Sequence, residues 1–117
     1  MSERTLISRV SFILEMISNI DLIVNRHGGI DLALEDVEGK MAIYMGITQI
    51  GETLAKLDDE FLLEYGLLKE KKGAYYTRNY IVHEYEGVDP FIIEEIYTSH
   101  LPHLSKKLQG FLRKSKQ

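Results

Sequence analysis

Within residues 78–85 the chain reads Arg78-Asn79-Tyr80-Ile81-Val82-His83-Glu84-Tyr85, and four of these side chains suit phosphate chemistry. Arg78 offers a planar, permanently charged fork that can pair two oxygens of a phosphodiester. His83 is the side chain most easily poised to take or give a proton near neutral pH. Asn79 can hold a neighbouring polar group in place, and Tyr85 supplies a phenol. Five residues at about 100° each put Arg78 and His83 on different sides of a continuous helix. They converge on one substrate only if the helix ends between them, or if a second chain completes the site.

The family resemblance set out below implies metal-independent RNA cleavage as the reaction that these groups serve. The ribose 2′-hydroxyl attacks the adjacent phosphate, which needs a base for that hydroxyl, an acid for the leaving oxygen and positive charge where the phosphorane develops. One His and one Arg per chain do not easily fill three roles, whereas two copies can, and an isologous twofold interface brings the two copies of a motif together. The competing interpretation makes Arg78 and His83 surface residues in salt bridges to Glu84 and Glu86.

The pattern Arg, four residues, His, one residue, Tyr resembles the Arg-X4-His-X-Tyr motif of HEPN-domain ribonuclease toxins of the HepT-like family. Ile50-Gly51-Glu52 upstream, Gly87-Val88-Asp89 after the motif and Leu101-Pro102-His103-Leu104 beyond it are similar too, so four landmarks fall in order across residues 50–104. The resemblance implies an all-α domain, a homodimer with Arg78 and His83 as catalytic residues in a composite cleft on the twofold axis, and Asn79 in support. It implies RNA as substrate, no cofactor, and a minimal nucleotidyltransferase as the antitoxin partner. Tyr85 then stands at the position of the tyrosine that this partner adenylylates, where AMP would add bulk and negative charge beside the cleft. Gly51-Glu52 is a signature of the family, and a structural hydrogen bond is the expected role of Glu52, since a carboxylate beside phosphate is repelled unless a metal intervenes. The chain departs from the family pattern in having no tryptophan, with Ala74-Tyr75-Tyr76 where a Trp often precedes the motif. The rival from another class is a non-catalytic helical module that binds a nucleotidyltransferase or nucleotide and cuts nothing.

The elements that must position these residues read as helices. Leu6, Val10, Ile13, Ile17 and Ile20 recur at helical spacing across 4–25, with Leu14, Leu22, Ile23 and Val24 widening the stripe towards more than one buried face, until Gly28-Gly29 ends it. Asp31 is a plausible cap for a short turn over 32–37. Ile43, Ile47, Ile50, Leu54 and Leu57 form a seam from about Gly39 to Leu57, in which Gly46 and Gly51 suggest close approach of another backbone. Asp58-Asp59-Glu60 starts a short apolar segment, and Lys69–Gly73 reads as a loop before a motif helix beginning near Ala74, packed through Tyr75, Tyr76, Tyr80, Ile81 and Val82. Asp89-Pro90 starts the last helix, expected to run to about Leu112 with a kink at Pro102. The sum is one domain over 1–117, an antiparallel bundle of four main helices with short extras.

Composition agrees with a small soluble protein: 117 residues, 44% apolar, 27% charged and no cysteine. No run approaches the roughly 20 apolar residues that span a bilayer, and Arg9, Glu15 and Asn19 interrupt any signal-peptide core, so a cytoplasmic location without membrane attachment is expected. The net charge of −4 is unevenly spread. Acids dominate Asp31–Glu64, while Lys69, Lys71 and Lys72 precede the motif and Lys106, Lys107, Arg113, Lys114 and Lys116 gather near the end. Those cations either face RNA or form a solvated helix end. His100 and His103 lack an evident third metal ligand and are expected to face solvent, and His27 suits a helix C-terminus.

Overall fold

A computed structural model describes residues 1–115; Lys116, one of the C-terminal cations noted above, lies outside them. Seven α-helices follow one another: α1 (Glu3–His27), α2 (Ile30–Glu35), α3 (Val37–Ala55), α4 (Asp59–Glu64), α5 (Leu68–His83), α6 (Pro90–Glu95) and α7 (Leu101–Ser115). A 3-10 turn over Tyr85–Gly87 follows α5, and a π-turn over Ile96–His100 joins α6 to α7. There is no strand among the described residues, and the architecture is the all-α bundle expected, with α1, α3, α5 and α7 as its long members. No described helix is long and apolar enough to cross a membrane.

Helix α1 buries Val10, Ile13, Ile17, Ile20 and Val24 against α3 and α7. The stripe is widened by Leu14 and Ile23, which are half-buried against the core, while Leu22 is exposed. Gly28 ends it with φ 89°, and the Gly29 N–H bonds to the Val24 carbonyl at 3.0 Å. This is the left-handed cap that glycine adopts without a Cβ penalty. The short helix α2 lies two residues earlier than expected, and Asp31 sits in its first turn instead of capping it. The capping acid is Asp36, whose carboxylate accepts from the Gly39 N–H at 2.8 Å and so closes α2 and opens α3 together.

The seam of α3 is buried as expected, together with Tyr44. Gly51 does face a backbone, that of α5, whereas Gly46 faces the Ile20 side chain. The segment Lys69–Gly73 is not a loop, because α5 already begins at Leu68. Its Glu and Lys residues are good helix formers, and Lys71 ties this first turn to the Asp59 carboxylate at 3.2 Å. The motif helix also packs less than its apolar residues suggest: Ile81 is buried, Tyr80 half-buried, and Tyr75, Tyr76 and Val82 lie exposed. Its main neighbour is α3.

Asp89 caps α6 by accepting from the Phe91 N–H at 3.0 Å, with Pro90 at the first helical position. Just before Pro102, where a kink is expected, the chain makes a π-turn, in which the Leu101 N–H reaches back five residues to the Ile96 carbonyl. The widened turn accommodates a ring that would clash with the carbonyl four residues earlier, and the path continues into α7. Leu101, Leu104, Leu108 and Phe111 then bury against the bundle, and Phe111 packs edge-on to Phe61 and Tyr65.

His27 closes α1 with Nδ1 2.8 Å from the Ile23 carbonyl and Nε2 3.2 Å from the Asp36 carboxylate. Both partners are acceptors, so the ring satisfies both only as imidazolium. The Ile23 bond first, and Asp36 with it, raises the His27 pKa above its ordinary 6.5, while the Gly39 N–H holds Asp36 below its ordinary range. A raised folded-state pKa contributes stability that is complete below 6.5 and is lost as pH rises through the folded value. The variant His27→Gln is therefore expected to lower the melting temperature more at pH 6 than at pH 8, measured by thermal unfolding of both proteins at each pH.

Candidate active site

The candidate site is organised by the crossing of α3 over α5. A Cβ at Gly51 would lie 2.8 Å from the Ala74 carbonyl oxygen and 3.2 Å from the Arg78 Cβ. Only glycine permits that approach, and the next residue, Glu52, is carried to the side of Arg78. Its carboxylate Oε1 pairs with the guanidinium Nε. On the other side of the guanidinium, Nη1 donates to the Asn79 Oδ1 at 2.7 Å. The side chains of Glu52 and Arg78 are about one-third exposed, at 38% and 32%, and the Arg78 Nε itself is buried. Glu52 meets Arg78 as an ion pair and not through the hydrogen bond expected of it, while Asn79 accepts from the same guanidinium.

His83 is the last residue of α5, exposed to solvent. The helix is continuous from Arg78 to His83, so the first of the two routes to convergence, a helix end between them, does not occur. Five residues of α-helix separate the pair by about 140° of rotation and about 7.5 Å of rise. The structure gathers Arg78, Asn79 and Glu52 and leaves His83 on another side of the same helix. Neither Arg78 nor His83 pairs with Glu84 or Glu86 among the described residues, so the surface salt bridges of the competing interpretation are not formed.

Tyr85 follows in the 3-10 turn. Its ring meets the edge of the Tyr44 ring with centroids 5.4 Å apart and planes at 80°, and the Lys40 ammonium lies 5.7 Å from its centroid. Tyr85 is 40% exposed while Tyr44 is buried. Burial, and then the phenols of Tyr85 and Tyr80, push the Tyr44 hydroxyl up from its ordinary value. The Tyr80 hydroxyl accepts from the Asp89 N–H at 2.9 Å, so the half-buried ring that the sequence assigns to the core also pins the far end of the motif turn. Lys40 and Tyr44 escape a reading of the sequence because their contact with Tyr85 spans two helices. The one local signal is their i,i+4 spacing on α3, which puts them on a single face.

Several lysines that could have faced RNA are engaged on the fold. Lys71 bonds Asp59, Lys107 donates to the Gly66 carbonyl at 2.9 Å, and Lys114 lies over the Tyr65 ring at 5.7 Å. His100 and His103 are both exposed, as expected; His103 Nε2 lies 3.3 Å from the Glu70 carboxylate, and His100 stands at the rim of an apolar groove. No group of three potential metal ligands occurs among the described residues. That groove, about 470 Å³ between α3, α5 and the α6–α7 arm, is lined by Ile50, Leu54, Tyr80, Ile92 and Leu104 among others. Arg78 and His83 do not line it.

Residues 13–110 match the family model described as Ribonuclease HepT-like, and the chain belongs to that family. The match spans both the α3–α5 crossing and the whole 78–85 stretch. No curated protein and no solved structure matches the chain at a significant level.

The Tyr80–Asp89 bond is the clearest tether on the turn that carries Tyr85. Tyr80→Phe is expected to cost about 0.5–1.5 kcal/mol, read by urea unfolding, with faster hydrogen exchange at the Asp89 amide as its local signature.

Proposed function

We propose that this member of the HepT-like ribonuclease family is the toxin of a toxin–antitoxin pair, a metal-independent endoribonuclease whose cleft is shared by two copies of the chain. The observation that carries the proposal is the unbroken α5, which points Arg78 and His83 in different directions on one chain. A site needing both must draw on a second copy, and a twofold axis near α5 supplies both residues twice.

In this cleft one His83 takes the proton of the ribose 2′-hydroxyl as its oxygen bonds to phosphorus. The bond to the 5′-oxygen breaks, and that oxygen takes a proton from the other, protonated His83. The products are a 2′,3′-cyclic phosphate and a free 5′-hydroxyl. Arg78 holds the non-bridging oxygens as their charge grows in the phosphorane, where a fixed donor is most effective. Asn79 keeps that donor aimed. Regulation falls to Tyr85, which a partner nucleotidyltransferase modifies with AMP. Its 40% exposure and its place two residues past His83 support this assignment, because the added phosphate would sit beside the cleft and compete with RNA for cations.

Replacing His83 with alanine is expected to reduce RNA cleavage by about 10²–10⁴-fold while the thermal melt stays within a degree or two of wild type, as suits an exposed side chain. A wild-type protein with no cleavage activity would instead favour the non-catalytic interaction module. For the regulatory half, intact mass after co-expression with a nucleotidyltransferase from the neighbouring gene should rise in units of AMP, and Tyr85→Phe should abolish the gain. An equal gain in Tyr85→Phe would assign the modification elsewhere.

A further inference from the structure

We infer that Glu52 is a positioning residue for the cleavage reaction, acting only through Arg78, and that Gly51 is what brings it there; the inference rests on the proposed role of Arg78. A guanidinium has five N–H donors. The Glu52 carboxylate forms an ion pair against Nε, which is buried there without a hydrogen bond, and Asn79 engages one hydrogen of Nη1. The donors left over are one on Nη1 and two on Nη2, at the tip of the side chain. These form a fork that can hold two phosphate oxygens side by side. An arginine held at two points on its flank has lost the rotamer freedom that it would otherwise lose on meeting the phosphate.

The backbone geometry makes this a paired device. Gly51 lets the Ala74 carbonyl and the Arg78 Cβ come within 2.8 and 3.2 Å of where its own Cβ would stand. Glu52, the next residue, then reaches the guanidinium from α3 while Asn79 reaches it from α5. The two holds come from different helices, so the tip of Arg78 is referenced to the α3–α5 crossing and not to α5 alone. Glu52 contacts Nε rather than the tip, so it does not touch the reacting atoms.

Its charge has a further consequence. A carboxylate behind the arginine repels the phosphate in the ground state and in the phosphorane alike, while the orientation it imposes is worth most where charge on the non-bridging oxygens is largest. Removing it should therefore lower kcat with KM unchanged or reduced.

The test uses full-length protein and a short fluorogenic RNA, with Glu52→Gln, Glu52→Ala, Arg78→Ala and the double variant Glu52→Ala/Arg78→Ala. Glu52→Gln keeps the shape and loses the charge assistance, and is expected to lower kcat about tenfold. Glu52→Ala is expected to lower it about 10²-fold by releasing the side chain, with KM at or below the wild-type value in both. The double variant should be no slower than Arg78→Ala alone, since nothing is left to position. Wild-type kcat in Glu52→Gln and Glu52→Ala overturns the inference while leaving Arg78 in its role. So does a double variant whose loss is the product of the two single losses. Full activity in Arg78→Ala overturns the role of Arg78 and the inference with it.

Discussion

The approach of α3 to α5 at Gly51 is the constraint on which the rest of the molecule depends. With no side chain at that position, the α5 backbone comes near enough for Glu52 to meet Arg78, and the charged pair sits at the joint between the two most closely associated helices. Around that joint the core is arranged in support. Ile47, Ile50 and Leu54 of α3 and Ile81 of α5 are buried beside it, and α1 backs α3 from the far side through Ile13, Ile17 and Ile20. The ion pair, with side chains about one-third exposed, adds little stability by itself. Its value is directional, because it aims a permanent charge outward from a rigid crossing.

The motif helix in turn has few apolar contacts of its own. Of its residues only Ile81 is fully buried, and Tyr75, Tyr76 and Val82 face outward. Helix α5 therefore depends on α3, on the Lys71 tether at its start and on the Tyr80–Asp89 bond just past its end. An exposed aromatic helix carrying Arg78 and His83 on separate sides suits a surface that a second chain or an RNA covers. Near the C-terminus, Lys107 is held by the Gly66 carbonyl and Lys114 lies over the Tyr65 ring.

Much of the fold was legible because periodicity is a local property. The stripes of α1 and α3, the Gly28 cap and the Asp89-Pro90 start all depend on residues within a few positions of one another. Errors arose where local signals mislead. Asp31 looks like a cap because of its type, yet α2 begins one residue before it, with Gly29 at the cap position. Lys69–Gly73 looks like a loop because it lacks apolar residues and contains glycine, yet a tether to α4 makes it the first turns of α5. Pro102 announces a kink, but nothing in the sequence reveals a π-turn placed just before it. In the site, the motif residues were visible as types and spacing. The Glu52–Arg78 contact, and the Lys40 and Tyr44 cluster under Tyr85, join residues far apart in the chain and became visible only when α3 met α5.

The proposed cleft needs His83 from two chains, and a hybrid dimer tests that requirement most directly. Wild-type and His83→Ala chains carrying different affinity tags can be co-expressed, and the mixed species isolated over two columns and assayed for RNA cleavage. If each His83 holds one of the two proton-transfer roles, the hybrid lacks one of them and its rate falls about 10²–10⁴-fold, close to that of the fully substituted dimer. A hybrid retaining half the wild-type rate would mean that each chain carries a complete site of its own, and would contradict the shared cleft.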